Sequence, residues 1–166
     1  RILRDAKRAR ELGSQATIVS MHWGTEKDSN TNSMQTSIAD ELTASGLVDL
    51  IVGHHAHVVQ PTNQVNGVWV MYGLGNVLSN LPTDERWPIN SQDAVIATTA
   101  LSISSSGKAV FAKPVMHPTW VDKNNGWVIR DVQKSLQSTT TSQGLARELE
   151  LSLGRTTQVL GDYITK

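Results

Sequence analysis

Four of the chain's five histidines sit in two short stretches. His22 lies in "SMHWGTE", at the end of one apolar run, and His54, His55 and His57 lie in "DLIVGHHAHVVQP", at the end of another. Neutral imidazole is a common ligand for zinc, manganese, iron and related ions, and it also exchanges protons near neutral pH. In extended backbone His55 and His57 point to one side and His54 to the other. His55 and His57 can therefore share a centre without a bend, whereas His54 joins them only if the chain has turned, which Gly53 permits. Three His within four positions, with a fourth at an equivalent place, point to a metal or phosphate site. The carboxylates of a two-metal hydrolytic centre, whose ions stand about 3.5–4 Å apart, have no counterpart here. Glu26, four residues after His22, is the nearest acid, and Asp49 opens a strand and so lies at its opposite end.

These residues must be positioned by strands. Ala16–Met21 and Val48–Val52 read as short buried strands, each apolar on both faces. They alternate with a helix over about Arg1–Leu12 and another in which Met34, Ile38 and Leu42 recur every four residues. "NQVNGVWVMYG" has an Asn-Gly turn between two β-rich runs, a hairpin signal, and its second run leads into "GLGN", which ends on Asn76. In an open α/β sheet ligands bind outside the carboxyl ends of the strands, so all three runs deliver polar groups to one edge. Further along, Ala94–Ser104 and Ala109–Met116 read as paired strands, with Pro114 marking an edge. "WVDKNNGWV" reads as a hairpin-like element, Ile129–Leu136 as a helix, and Leu145, Leu149 and Leu153 as the stripe of a last helix.

Composition sets the limits. The chain has 166 residues, 39% hydrophobic and 18% charged, enough for one globular domain with a real core. Lys plus Arg and Asp plus Glu are both 15, which removes the broad basic field of a nucleic-acid binder. No Cys is present, so thiolate metal sites, disulfides and thiol nucleophiles are excluded. The chain opens on Arg1 inside an amphipathic helical pattern, so a fragment is expected, with any anchor or signal upstream. His117, beside Pro118 and outside any cluster, reads as structural.

In their order, "SMHWGTE", "DLIVGHHAHVVQP" and "VMYGLGN" resemble the CapA family of poly-γ-glutamate capsule biosynthesis proteins, within the calcineurin-like metallophosphoesterase superfamily. The resemblance covers about residues 1–81; residues 93–166, the later strands and C-terminal helix, follow it only in pattern. It implies the C-terminal half of a four-layer α/β/β/α sandwich, here a single domain over residues 1–166. It also implies a dinuclear site holding divalent manganese, zinc or iron, incomplete in this chain because the upstream aspartate and Asn-His motifs have no counterpart. His22 matches the family's single His, and His54, His55 and His57 match its closing Gly-His-x-His with one residue extra. Aligned from Gly53 the ligand is His54; aligned on "HAHVVQ" the ligands are His55 and His57. His22 and His57 are the candidate catalytic residues, with Trp23, Glu26 and Asn76 candidates for contacting substrate.

The function so implied is synthesis or export of a poly-γ-glutamate-like polymer, outside the bacterial cytoplasm, at the membrane or cell surface. Metal-dependent hydrolysis of a phosphate ester and non-catalytic polymer binding are the alternatives. The expected partners are an anionic polymer or phosphate ester, the missing N-terminal half of the domain and a second copy of the fragment, and the isolated chain is expected to be inactive.

Overall fold

A computed structural model describes residues 1–164. The chain opens with α1 (Ile2–Glu11) and β1 (Ile18–Trp23), followed by α2 (Ser33–Ala44) and β2 (Leu50–His55). Asn32 starts α2 with a capping box: its side chain accepts from the Gln35 backbone N–H while the Gln35 side chain accepts from the Asn32 N–H. β3 (Thr62–Val65) and β4 (Val68–Met71) form the expected hairpin, with Asn66 and Gly67 both left-handed as a type I′ turn requires. The four strands make one sheet in the order β1-β2-β4-β3, with β1, β2 and β4 parallel. α1 and α2 pack on one face of it, around Trp23, Ala39, Leu42, Val48, Ile51, Val70 and Tyr72.

The second half contains β5 (Asp93–Thr98), β6 (Leu101–Ile103), β7 (Ala109–Phe111), β8 (Val115–Asp122) and β9 (Val128–Asp131). It ends in α3 (Val132–Gln137) and α4 (Gln143–Leu160). β5, β8 and β9 form an antiparallel sheet in that order, and β6 and β7 form a separate hairpin. Leu50 and Met71 of the first sheet share a core with Val95, Met116 and Leu160, the last from the end of α4. A third cluster joins Trp120 to Val132 and Leu149. The class is α/β with several sheets and flanking helices, as the sequence implies.

Three details differ from the sequence reading. β1 is half exposed, not buried on both faces, because it is the sheet's edge strand: Ile18 is 56% exposed while Trp23 is buried. The run Ala94–Ser104 splits into β5 and β6, and Ala109–Met116 into β7 and β8, leaving Pro114 buried between two strands and not on an edge strand. Ile129–Leu136 is not one helix: Val128–Asp131 pair with β8, and the Asp131 side chain then accepts from the Lys134 N–H to cap α3. The inner face of the first sheet, apolar in sequence and open to cover by a second copy or by the Ala94–Met116 strands, is covered at Leu50 and Met71 by β5, β8 and α4 of the same chain.

Buried acids carry paired cations. Asp93 accepts from Arg155 at 2.6 and 2.8 Å and from the Ser152 hydroxyl at 2.7 Å. Burial pushes the Asp93 carboxyl above the usual carboxylate range, against the pull of Arg155 and Ser152. Asp122 is held by Arg130 and Asn125, and Asp49 by Arg10 and the Thr17 N–H.

Candidate functional site

The parallel sheet brings the four histidines together. β1 and β2 run side by side in a register that sets His22 against His54 and Trp23 against His55, so the carboxyl ends of both strands are level. The histidines occupy the last strand positions and the turn beyond, and His22, His54, His55 and His57 line one cavity of about 280 Å³. The His22 and His55 rings lie 4.3 Å apart, and those of His55 and His57 6.3 Å apart. Gly73, Gly75 and Asn76, beyond β4, complete the wall.

The backbone reaches this arrangement by an unexpected route. His55 (φ 97°) and His57 (φ 60°) are left-handed, so they meet through a turn in the chain and not through the period-two alternation of a strand. Nor is Gly53 the pivot. A Cβ there would lie 2.0 Å from the Tyr72 carbonyl oxygen and 2.4 Å from the Trp23 indole nitrogen. Gly53 is needed because the Trp23 Nε1–H donates to the Tyr72 carbonyl (2.9 Å) across the space its side chain would fill. That bond, and stacking on Tyr72 with ring centroids 5.5 Å apart, places Trp23 in the core. Trp23 is 3% exposed, a core residue beneath the histidines. Glu26 is exposed and does not line the cavity.

Asn76 does line it, and its geometry fixes a protonation pattern. Its Nδ2 donates to the carbonyls of His57 and Ser91, each at 3.0 Å. Its Oδ1 therefore faces His57 Nδ1, also at 3.0 Å. An amide oxygen only accepts, so His57 Nδ1 carries the hydrogen, and the lone pair of the neutral ring is on Nε2. Orientation of a histidine by a partner on its other nitrogen is what a ligand or base needs. Asn76 thus acts through His57.

A network that sequence reading missed holds the loop between β1 and α2 over the site. Gln35 and Gln60 are both fully buried. Gln35 Nε2 donates to Gln60 Oε1 (2.9 Å), and Gln60 Nε2 donates to the carbonyls of Asp28 (2.9 Å) and Asn30 (3.0 Å). The Lys27 N–H donates to the Ala56 carbonyl at 2.8 Å, between the clustered histidines. Trp87 meets the His57 ring edge-on at 5.2 Å, and Lys27 Nζ lies 4.7 Å from the Trp87 ring centre. The capping pattern Asn32-x-x-Gln35 was the one local signal for Gln35; Gln60 had none. His117 is outside the site, with Nε2 at 2.9 Å from the Thr98 hydroxyl.

Residues 1–81 match the family model described as the bacterial capsule synthesis protein PGA_cap. The PGA biosynthesis protein CapA of Bacillus subtilis (strain 168) is 33% identical over 91 residues, covering 55% of this chain and 22% of that protein. The capsule biosynthesis protein CapA of Bacillus anthracis is 30% identical over 91 residues, 55% of this chain and 21% of that protein. The matched stretch therefore spans about a fifth of the length of these curated relatives.

The cavity offers four imidazoles and no acid, so the bridging carboxylates of a two-metal centre are not among its lining residues. Among the described residues no group of three or more His, Asp or Glu is arranged to hold a metal ion. What the cavity offers is an Nε2 acceptor of fixed orientation and three further imidazoles, with the Trp87 ring against His57 and Lys27 over Trp87 beside it.

Proposed function

We propose that this chain is part of a bacterial protein of poly-γ-glutamate capsule biosynthesis, and that the histidine cavity is where it handles the polymer. One observation carries the proposal: the stretch that matches the capsule synthesis family is also the stretch whose strand ends converge on the cavity. Polymer synthesis or export of this kind takes place outside the cytoplasm, at the membrane or cell surface. No described helix is long and apolar enough to cross a membrane. The role assigned to the chain is recognition of an anionic polymer, with His57 oriented by Asn76. A manganese, zinc or iron ion joins this proposal only with carboxylate ligands from outside the described residues, and no reaction step is assigned to one.

The test is made in the full-length protein in its own host. His57→Ala should abolish or sharply reduce extracellular poly-γ-glutamate at equal protein level. His117→Ala, on the far side of the fold's chemistry, should leave it near normal. Equal polymer from both variants would sink the proposal.

A further inference from the structure

We propose that Lys27 and Trp87 form, with His57, a subsite for one γ-linked glutamate unit of the polymer. This rests on the function proposed above and names a place beside the cavity, against His57, that reads the ligand. The first ground is backbone strain. Among the described residues five non-glycines are left-handed; two of them, His55 and His57, line the cavity, and a third, Lys27, is bonded through its N–H to Ala56 of its lining. The other two, Asn66 and Trp127, are in hairpin turns next to glycines. Such conformations are costly for non-glycine residues and persist where the surroundings impose them. Lys27 is held so by its N–H on the Ala56 carbonyl, which ties its loop to the histidine turn.

The second ground is charge. Lys27 is exposed, and among the described residues no carboxylate pairs with it. Its ammonium instead lies over Trp87, whose ring edge meets His57. The Trp87 segment is itself tied to the Lys27 loop, since Asn90 Nδ2 donates to the Ser29 hydroxyl at 3.1 Å. Three segments far apart in sequence thus deliver a cation, an aromatic ring and a lone pair to one place.

The third ground is the match of groups. A γ-linked glutamate unit carries a free carboxylate, a short aliphatic spacer and an amide N–H. The carboxylate suits Lys27, the spacer and amide plane suit the indole face, and the amide N–H suits the Nε2 lone pair that Asn76 leaves on His57. A polyphosphate satisfies Lys27 but has no N–H for Nε2.

The test is binding by the 166-residue chain, read by calorimetry and tryptophan fluorescence, with a short γ-linked glutamate oligomer as probe and polyphosphate as comparison. The oligomer should bind more tightly than polyphosphate and change the tryptophan signal. Lys27→Gln should weaken it about three- to tenfold at low salt, as one partly exposed charge contact does, with the difference shrinking at high salt. Lys27→Arg should keep most of the affinity, and Trp87→Phe should lose less than Trp87→Ala. No binding by the unaltered chain, tighter binding of polyphosphate, or equal affinity of Lys27→Gln would overturn the subsite. If His57→Ala still stops polymer formation in the host, the broader proposal survives that failure. If the subsite binds as expected while His57→Ala makes normal polymer, the subsite stands and the capsule role falls.

Discussion

Replacing Gln60 with methionine should destabilise the protein by about 3 kcal/mol, through hydrogen bonding and not through volume. Methionine matches glutamine in length and fills the same space, so the cavity penalty that follows truncation is small. What goes is three hydrogen bonds: one from Gln35 Nε2 and two to the carbonyls of Asp28 and Asn30. A neutral bond contributes roughly 0.5–1.5 kcal/mol net, and a buried partner left unmade costs about 1–3 kcal/mol. Gln35 is fully buried, so the larger figure applies to its lost acceptor. The two carbonyls belong to a loop near the surface and recover water, so the smaller figure applies to them. Their sum lies near ~3 kcal/mol, a large share of the 5–15 kcal/mol of a typical domain. Urea unfolding followed by far-UV circular dichroism measures it, and side-chain NMR of Trp23 and Trp87 reports the core and the loop separately among the five tryptophans. The loop should also loosen first, so the Trp87 contact with His57 should be lost before the Trp23 core melts. A Gln60→Met variant within about 0.5 kcal/mol of the parent would mean the network contributes little and the loop is held by something else.

Gly53→Ala should prevent folding or lower the melting temperature severely, because its Cβ meets backbone at 2.0 Å, whereas Gly144→Ala, in open space on α4, should be neutral or stabilising; thermal unfolding of the pair decides it. Nitrogen NMR of the neutral His57 ring should show hydrogen on Nδ1 and none on Nε2, and Asn76→Leu should mix the two tautomers; a ring protonated on Nε2 in the parent would refute the Asn76 assignment. Arg155→Met should cost about 3–5 kcal/mol near neutral pH by stranding the Asp93 carboxylate. Burial already raises the Asp93 pKa in the folded state, and losing Arg155 raises it further. A folded pKa above the unfolded one means that the folded state holds the proton more tightly, so the variant should regain stability as pH falls through the carboxylate range and lose it as pH rises. Denaturation midpoints across that range check the sign.

The sequence showed the placement of the histidines but not the conformation that joins them. Apolar runs ending in His22 and in His54–His57 were enough to put all four at one sheet edge, because strand period and parallel register are local properties. The hairpin was legible for the same reason: Asn66-Gly67 states its own turn type. Left-handed backbone at His55 and His57 carries no such mark, since histidine tolerates several conformations and only the surrounding contacts select this one. The sequence left Trp23 between packing and substrate contact because its place depends on a residue 49 positions later, the Tyr72 carbonyl, and on a missing side chain at Gly53.

The three amides that build the site share one property that periodicity cannot show. Asn76, Gln60 and Gln35 each use both ends of the side chain, one end accepting and the other donating, and each ties together segments distant in sequence. A carboxylate of the same size could accept but not donate, and a hydroxyl lacks the reach. Amides are therefore the side chains that can satisfy loop carbonyls and at the same time present a defined atom to a neighbour without adding charge beside the histidines. Neutrality matters here, because the amides add no charge that competes with Lys27, whose ammonium lies over Trp87 beside His57. In the subsite proposed above, Lys27 would take the carboxylate of a γ-linked unit and the oriented Nε2 of His57 its amide N–H, so one neutral scaffold would serve both contacts.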